Sequence, residues 1–431
     1  MTKLCKLAIG IGIMLGTPWL AMSDVTGQEV RRMAQDEAQL LTDLGRSALK
    51  AGQYAEAERL LKQALAIREK ALGGEHPDTA ASLHNLANLY FAQGDYVAAG
   101  VLYQRALAIR EKVLGEEHPD TAGSLNNLAL LYKSQRNYTA AEPLLKRALT
   151  IREKALGGEH PDTAESLNNL ASLYYAQGDS AAAEPLLKRA LAIYEEALGG
   201  EHPLVAAILN NLAGLCKERG DYAAAESLLR RELVIREKAL GAEHSETVSV
   251  LQELTDLYLR QLKVVEAEPL LERMLAFQEK AYGREALDTT TTLQGLAMVY
   301  CEQKRYGAAE PLLKRALAIQ EKALGAEHPD VLWTVRDLSK VYQEQGKYAE
   351  AEPLLKRLLV SWEKEYGRES LATGRVLSDL AVVYYEQKKY AEAEPLLKRA
   401  LAIFSSELGK ADPDTRAVAE RLKLLRSKKQ K

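Results

Sequence analysis

The sequence predicts an all-α solenoid of antiparallel helix pairs, and three observations predict it. The pattern Leu-Leu-Lys-Arg-Ala-Leu-x-Ile-x-Glu-Lys-x-Leu-Gly returns every 42 residues, its register marked by Gly73, Gly115, Gly157, Gly199, Gly241, Gly283, Gly325, Gly367 and Gly409. A fixed period of this size means stacked supersecondary units that share one continuous core. Composition agrees: Ala and Leu dominate, 27% of residues are charged, and there are only three Phe and three Trp, which suits long amphipathic helices. Finally, each period holds two apolar-periodic segments parted by a short turn. A stack of this kind offers an extended surface rather than a deep pocket, which favours recognition over chemistry.

The elements follow in chain order. Residues 1–23 have the layout of a secretory signal peptide: Lys3 and Lys6, an apolar run over 7–16, then Ala21-Met22-Ser23 with small residues placed for cleavage before Asp24. That run is too short to span a bilayer, so no membrane attachment is expected after cleavage, and the expected location is the periplasm or beyond the cell. Residues 24–35 are a lead-in. Nine units occupy 36–410, a capping helix 411–426 and a basic tail 427–431.

The unit from Asp162 to Gly199 shows the logic. Pro161 closes the preceding loop, Asp162 reads as an N-cap, and Glu165 three residues on completes a capping box. Leu167, Leu170, Ala171 and Tyr174 then mark one apolar helix face. Gly178 in Gln177-Gly178-Asp179 breaks the helix through a left-handed residue. A second helix from about Ala181 buries Ala183, Leu186, Leu187, Ala190, Leu191, Ile193, Ala197 and Leu198, and Gly199 ends it. Pro185, like Pro143, Pro269, Pro311, Pro353 and Pro395, removes one hydrogen bond near the start of the second helix and predicts a local bend. After the last unit, Leu422 and Leu425 face inward and Arg421, Lys423 and Arg426 outward, as a terminal cap requires.

Leu128-Ala129, Tyr132, Asn137-Tyr138, Ala141 and Ala148-Leu149 resemble the tetratricopeptide repeat (TPR) signature. The 42-residue period, with Leu-Gly-x-Glu-His-Pro-Asp and Leu-Asn-Asn-Leu-Ala, is similar to the kinesin light chain variety. The resemblance implies a right-handed superhelical solenoid whose first helices line a concave face. That variety carries an N-terminal coiled coil, and an export signal in its place argues against a motor subunit. His84-Asn85, Asn126-Asn127, Asn168-Asn169 and Asn210-Asn211 fall on that face. In peptide-binding relatives the second position of the pair hydrogen-bonds an extended peptide, and an amide supplies both donor and acceptor. Asn85, Asn126, Asn127, Asn168, Asn169, Asn210 and Asn211 are therefore the candidate peptide-binding residues, with bridging between adjacent helices as the alternative role. The ladder stops mid-chain at Gln252-Glu253, Gln294-Gly295, Arg336-Asp337 and Ser378-Asp379. Relatives that clamp a terminal carboxylate add a cation nearby. Lys133 and Lys217 are the candidates here, each one step off the usual position.

Other chemistries find no support. The formal charge of −3, from 57 basic and 60 acidic residues, offers no basic stripe for nucleic acid. One His per repeat, at His76, His118, His160, His202, His244 and His328, cannot converge on a metal, so these read as loop residues. Tyr90, Tyr132, Tyr174, Tyr258, Tyr300, Tyr342 and Tyr384 read as core fillers with a polar handle. Cys216 and Cys301 lie two repeats plus one residue apart, too far for a disulfide. No phosphate loop, metalloprotease or hydrolase motif is present, so no catalytic residue, metal or cofactor is expected. The expected function is an exported scaffold binding a protein or extended peptide. A self-associating rod and a secreted effector that binds a host protein are the alternatives.

Overall fold

The computed structural model describes residues 27–429. The expected signal peptide lies outside the described residues. The chain divides into two compact units, one ending at Asp221 and one beginning at Tyr222. All nineteen elements among the described residues are α-helices.

The first unit holds α1 (Gly27–Lys50), α2 (Tyr54–Leu72), α3 (Pro77–Ala92), α4 (Tyr96–Leu114), α5 (Pro119–Ser134), α6 (Tyr138–Leu156), α7 (Pro161–Ala176), α8 (Ser180–Leu198) and α9 (Pro203–Glu218). The second holds α10 (Tyr222–Leu240), α11 (Ser245–Arg260), α12 (Val264–Tyr282), α13 (Thr289–Glu302), α14 (Tyr306–Leu324), α15 (Pro329–Glu344), α16 (Tyr348–Glu365), α17 (Leu371–Glu386), α18 (Tyr390–Glu407) and α19 (Pro413–Lys429). Within each unit every helix packs on its sequence neighbours. Helix α1 starts at Gly27, ahead of the expected Asp36, because nothing in Gln28–Gln35 breaks a helix.

Small residues set the spacing of the stack. Ala57, Ala99, Ala141 and Ala183 are fully buried, as are Ala64, Ala106, Ala148 and Ala190 one heptad later on the same second helices. They let helices approach to about 8–10 Å. Leu83, Leu89, Leu125, Leu131, Leu145, Leu167, Leu173 and Leu187 fill the remaining space, each contributing about 1.5–3 kcal/mol through burial. The second helices run unbroken through Pro143 and Pro185. In α19, Val418, Leu422 and Leu425 are buried.

The loops between repeats correct one sequence expectation. Asp162 is not the N-cap; His160 is, and its Nδ1 accepts from the Asp162 N–H at 3.1 Å. Pro161 takes the first helical position, where a missing donor is harmless, and this moves the cap back to His160. His76, His118, His202, His244 and His328 cap their helices in the same way. Glu165 is freed from a capping box and instead pairs with Arg152 at 2.8 Å. Thr79, Thr121 and Thr163 tie each loop down by donating to the carbonyls of Gly73, Gly115 and Gly157.

Candidate functional site

The asparagine ladder lies on α3, α5, α7 and α9, the first helices of successive repeats in the first unit. A 16-residue helix between a His cap and a Gln or Arg terminus holds each pair in the same register. Asn127 Nδ2 meets His84 Nε2 at 3.1 Å, and Asn211 Nδ2 donates to Asn168 Oδ1 at 2.8 Å. In each bridge the second residue of one pair reaches the first residue of the preceding pair. Asn85 donates to the Ala81 carbonyl at 3.0 Å. Asn169 and Asn210 are half-buried on the same face. The bridges leave amide capacity over, because each Asn side chain has two N–H donors and two acceptor lone pairs.

Asn126 departs from the expectation. It is 2% exposed, and its Nδ2 donates to Ser166 Oγ at 3.0 Å in the interior. It turns inward because Ser166 sits between Asn126 and the buried guanidinium of Arg152, which reaches the same Oγ at 3.0 Å. Asn126 therefore belongs to the packing between repeats rather than to the open face.

That arrangement is one of a series that the sequence reading missed. Arg68, Arg110 and Arg152 each reach across to the next first helix, donating to Ser82, Ser124 and Ser166. Each also donates to a helix-start carbonyl, of Asp78, Asp120 and Asp162. The Arg and its Ser are fourteen residues apart, and in three repeats both change: Tyr194 goes with Ile208, Trp362 with Val376, and Phe404 with Val418, while Gln278 and Gln320 go with Thr292 and Thr334, and Arg236 stands with Val250 and pairs with Glu232 and Glu246 instead. That covariation within the repeats was the available signal. An aromatic ring is matched by an aliphatic residue, and a guanidinium by a serine hydroxyl or, at Arg236, by carboxylates.

Charge is sparse on the ladder face. Burial, with the charges of Arg110 and Arg46, holds His84 down at about 4, so its ring is neutral near pH 7. Which ring nitrogen carries the proton follows from the amide opposite it. Lys133 donates to Ser172 Oγ, and burial pushes its ammonium below the usual lysine range. A half-buried lysine held by a serine is not an open carboxylate clamp.

The tetratricopeptide repeat family matches residues 36–112, 83–154, 120–196, 169–238, 204–280, 288–359 and 340–406. This chain belongs to the TPR family. Such repeats mark a protein–protein interaction scaffold, and the family is in general non-catalytic. Among solved structures, a Podosopora anserina protein with kinesin light chain nearly identical TPR-like repeats is 32% identical, over 48% of this chain and 98% of its own (TM-score 0.41). BtubC (BKLC) from P. vanneervenii is 25% identical over 59% of this chain and 92% of its own (TM-score 0.41). The STAND protein PH0952 from Pyrococcus horikoshii, with its TPR sensor, is 18% identical and shares the fold over 86% of this chain and 54% of its own (TM-score 0.51). No curated protein matches the sequence.

In the second unit of this TPR protein the equivalent face is charged. Gln252 donates to Asp256 and Arg336 pairs with Asp337, both at 2.8 Å. Arg421 reaches Ser378 at 3.3 Å, in the register of the asparagine bridges. Burial by the surrounding protein raises the Asp379 carboxyl to about 6 although its side chain still touches solvent, and Arg421, Lys340, Arg336 and Arg375 oppose that rise. Cys216 and Cys301 are free thiols. Among the described residues no His, Cys, Asp or Glu group is placed to hold a metal, and no helix is long and apolar enough to cross a membrane.

Proposed function

We propose that this protein is an exported, non-catalytic scaffold that holds an extended peptide or partner protein along the first-helix face of the first unit. Asn85, Asn127, Asn168, Asn169, Asn210 and Asn211 make the polar contacts. The observation that supports this reading is the bridged amide row. Asn127 and Asn211 are pre-oriented by their bonds to His84 and Asn168, so little side-chain entropy is lost when their remaining donors and acceptors meet a peptide backbone. An amide row reads backbone rather than sequence, which suits an extended segment of varied composition.

Export rests on the layout of residues 1–23 and is tested by N-terminal sequencing of the protein isolated from its cells. A chain beginning at Asp24 supports it, and one that keeps Met1 in the soluble cell interior overturns it. Binding is tested by capture from the envelope fraction, followed by hydrogen exchange of the purified pair. Protection of α3, α5, α7 and α9 supports the assignment, and protection confined to the second helices overturns it.

One observation favours a second reading, the self-associating rod. Helix α1 presents Val30 (46% exposed), Met33 (53%), Leu40 (38%) and Leu44 (46%) along one face. This is the heptad spacing of a helix seam. Sedimentation that depends on protein concentration, and is abolished by Leu40→Glu with Leu44→Glu, would support it. A monomer at every concentration would remove it.

A further inference from the structure

The turn between α5 and α6 departs from its siblings. Residues 136–139 read Arg-Asn-Tyr-Thr, where the same register reads Gly-Asp-Tyr-Val at 94–97, Gly-Asp-Ser-Ala at 178–181 and Gly-Asp-Tyr-Ala at 220–223. The fold does not call for these exchanges. Asn137 caps α6 as Asp95 and Asp179 cap α4 and α8, its Oδ1 accepting from the Ala140 N–H at 3.3 Å. Asn and Asp serve equally well as caps, so the helix start gives no reason to replace one with the other. Thr139 is exposed, as Val97 and Ala181 are, so packing gives no reason for the hydroxyl. Arg136 takes a left-handed φ of +58° where Gly94 and Gly178 sit at +80°.

What the exchanges create together is Asn137-Tyr138-Thr139. The chain has eight other asparagines, and none is followed two residues on by Ser or Thr. The motif stands on an exposed turn. Thr139 Oγ1 donates to Asn137 Oδ1 at 3.1 Å, so the carbonyl oxygen takes both the hydroxyl and the Ala140 N–H. Among the described residues the Asn137 Nδ2 has no hydrogen-bond partner, and it is left facing solvent.

We infer that Asn137 is a modification site that carries an N-linked oligosaccharide. Asn-x-Thr without proline between is the acceptor pattern of oligosaccharyltransferases, and in a folded exported protein it belongs on a surface turn. The donor is an oligosaccharide joined to a lipid diphosphate. Asn137 Nδ2 bonds to the first carbon of the sugar, and the bond from that carbon to the diphosphate oxygen breaks. The lipid diphosphate leaves with the electron pair, and one Nδ2 proton passes to a base of the transferase. Oδ1 keeps its capping bond throughout, because the reaction uses only the nitrogen. Asn137 lies ten residues beyond Asn127, about 15 Å at the helical rise, so a glycan there leaves the amide row open to a partner. The inference rests on the export reading, since only an exported chain passes a transferase of this class.

The test uses the full chain purified from the cells that make it, with its N-terminus sequenced and its tryptic peptide 137–146 weighed. The expected result is a mature chain beginning at Asp24, whose peptide is heavier by whole hexose and N-acetylhexosamine increments. Peptide-N-glycosidase in heavy-oxygen water should remove those increments and leave a labelled carboxylate at position 137. Thr139→Ala should abolish the modification with unchanged circular dichroism, since the Asn137 cap is kept. A bare peptide in a chain that begins at Asp24 overturns the site and leaves export standing. A bare peptide in a chain that keeps Met1 overturns both. Sugar that persists in Thr139→Ala is attached by another rule and overturns the assignment.

Discussion

The two units solve the same turn in different ways. Between the helices of a pair, the first unit relies mostly on a capping side chain: Gly94-Asp95 and Gly178-Asp179 have φ of +80° at the glycine, Arg136-Asn137 has φ of +58° at the arginine, and Asp95, Asn137 and Asp179 accept from Ala98, Ala140 and Ala182. The second unit places Leu262, Lys304 and Lys388 in the same left-handed conformation and keeps a glycine only at Gly346 among these four turns, and Lys263, Arg305, Lys347 and Lys389 follow as caps without a capping bond. Those four cations instead pair with Glu226, Glu268, Glu310 and Glu352 of the preceding repeat. They also lie over the rings of Tyr258, Tyr300, Tyr342 and Tyr384. The left-handed conformation costs a non-glycine residue about 1–2 kcal/mol, so the second unit accepts local strain and recovers stability from ion pairs between repeats. The lesson is that a period fixes the backbone path while leaving open which interaction holds it.

The largest effect that would break this comparison is in the staples of the first unit. Ser166→Ile removes one of the partners of the Arg152 guanidinium, leaves the Asn126 amide unpaired in the interior and should cost about 1–3 kcal/mol, the desolvation of an unpaired polar group. Adding Arg152→Tyr copies the Tyr194–Ile208 pairing and should restore most of that loss. Hydrogen exchange of α6 and α7 reads both, and a double variant no better than the single would refute the matched-pair account.

Smaller effects sharpen the comparison at the turns. Asp179→Ala removes a true cap and should cost about 1 kcal/mol, whereas Lys347→Ala removes no cap and should act through Glu310 instead. Leu262→Gly and Lys304→Gly should each stabilise the second unit by about 1 kcal/mol through release of left-handed strain, seen as a higher melting temperature. Unchanged melting in both would mean that the strain is absent.

Acid provides the gentlest separation. Lys314 and Lys347 hold Glu310, and Lys356 and Lys389 hold Glu352, down at about 2, against the usual 4.5. A carboxylate with a lowered folded value stabilises fully above the unfolded value, and that contribution is lost as pH falls from about 4.5 to about 2. Protection of the second unit, relative to the intrinsic exchange rate at each pH, should therefore fall across that window, and less so in Lys347→Met with Lys389→Met. An identical slope in the variant would contradict the assignment.

Much of the fold was legible because it rests on spacing. The glycine register, the turn at Gly178 and the buried stripe Ala183, Leu187, Ala190 and Ile193 follow from period and burial alone, whereas Ala197 and Leu198, expected in the same stripe, are exposed at the end of the helix. Helix starts were less legible: His160 and Asp162 are both plausible caps, and only the preference of Pro161 for the first helical position separates them. The tyrosines read as core fillers do pack inward, and their hydroxyls reach glutamates, Tyr90 to Glu58 and Tyr300 to Glu272, both at 3.1 Å. Asn126 could not be told from Asn127 by type, because its direction depends on Ser166, forty residues away.

The most direct test of the scaffold account compares the two faces with one captured partner. Its affinity is measured by calorimetry for the wild type, for Asn127→Ala/Asn169→Ala/Asn211→Ala in the first unit, and for Gln252→Ala/Arg336→Ala/Ser378→Ala in the second. The account predicts at least a tenfold loss for the asparagine variant and a smaller loss for the other. Unchanged affinity in the asparagine variant, with its helices intact, would contradict it.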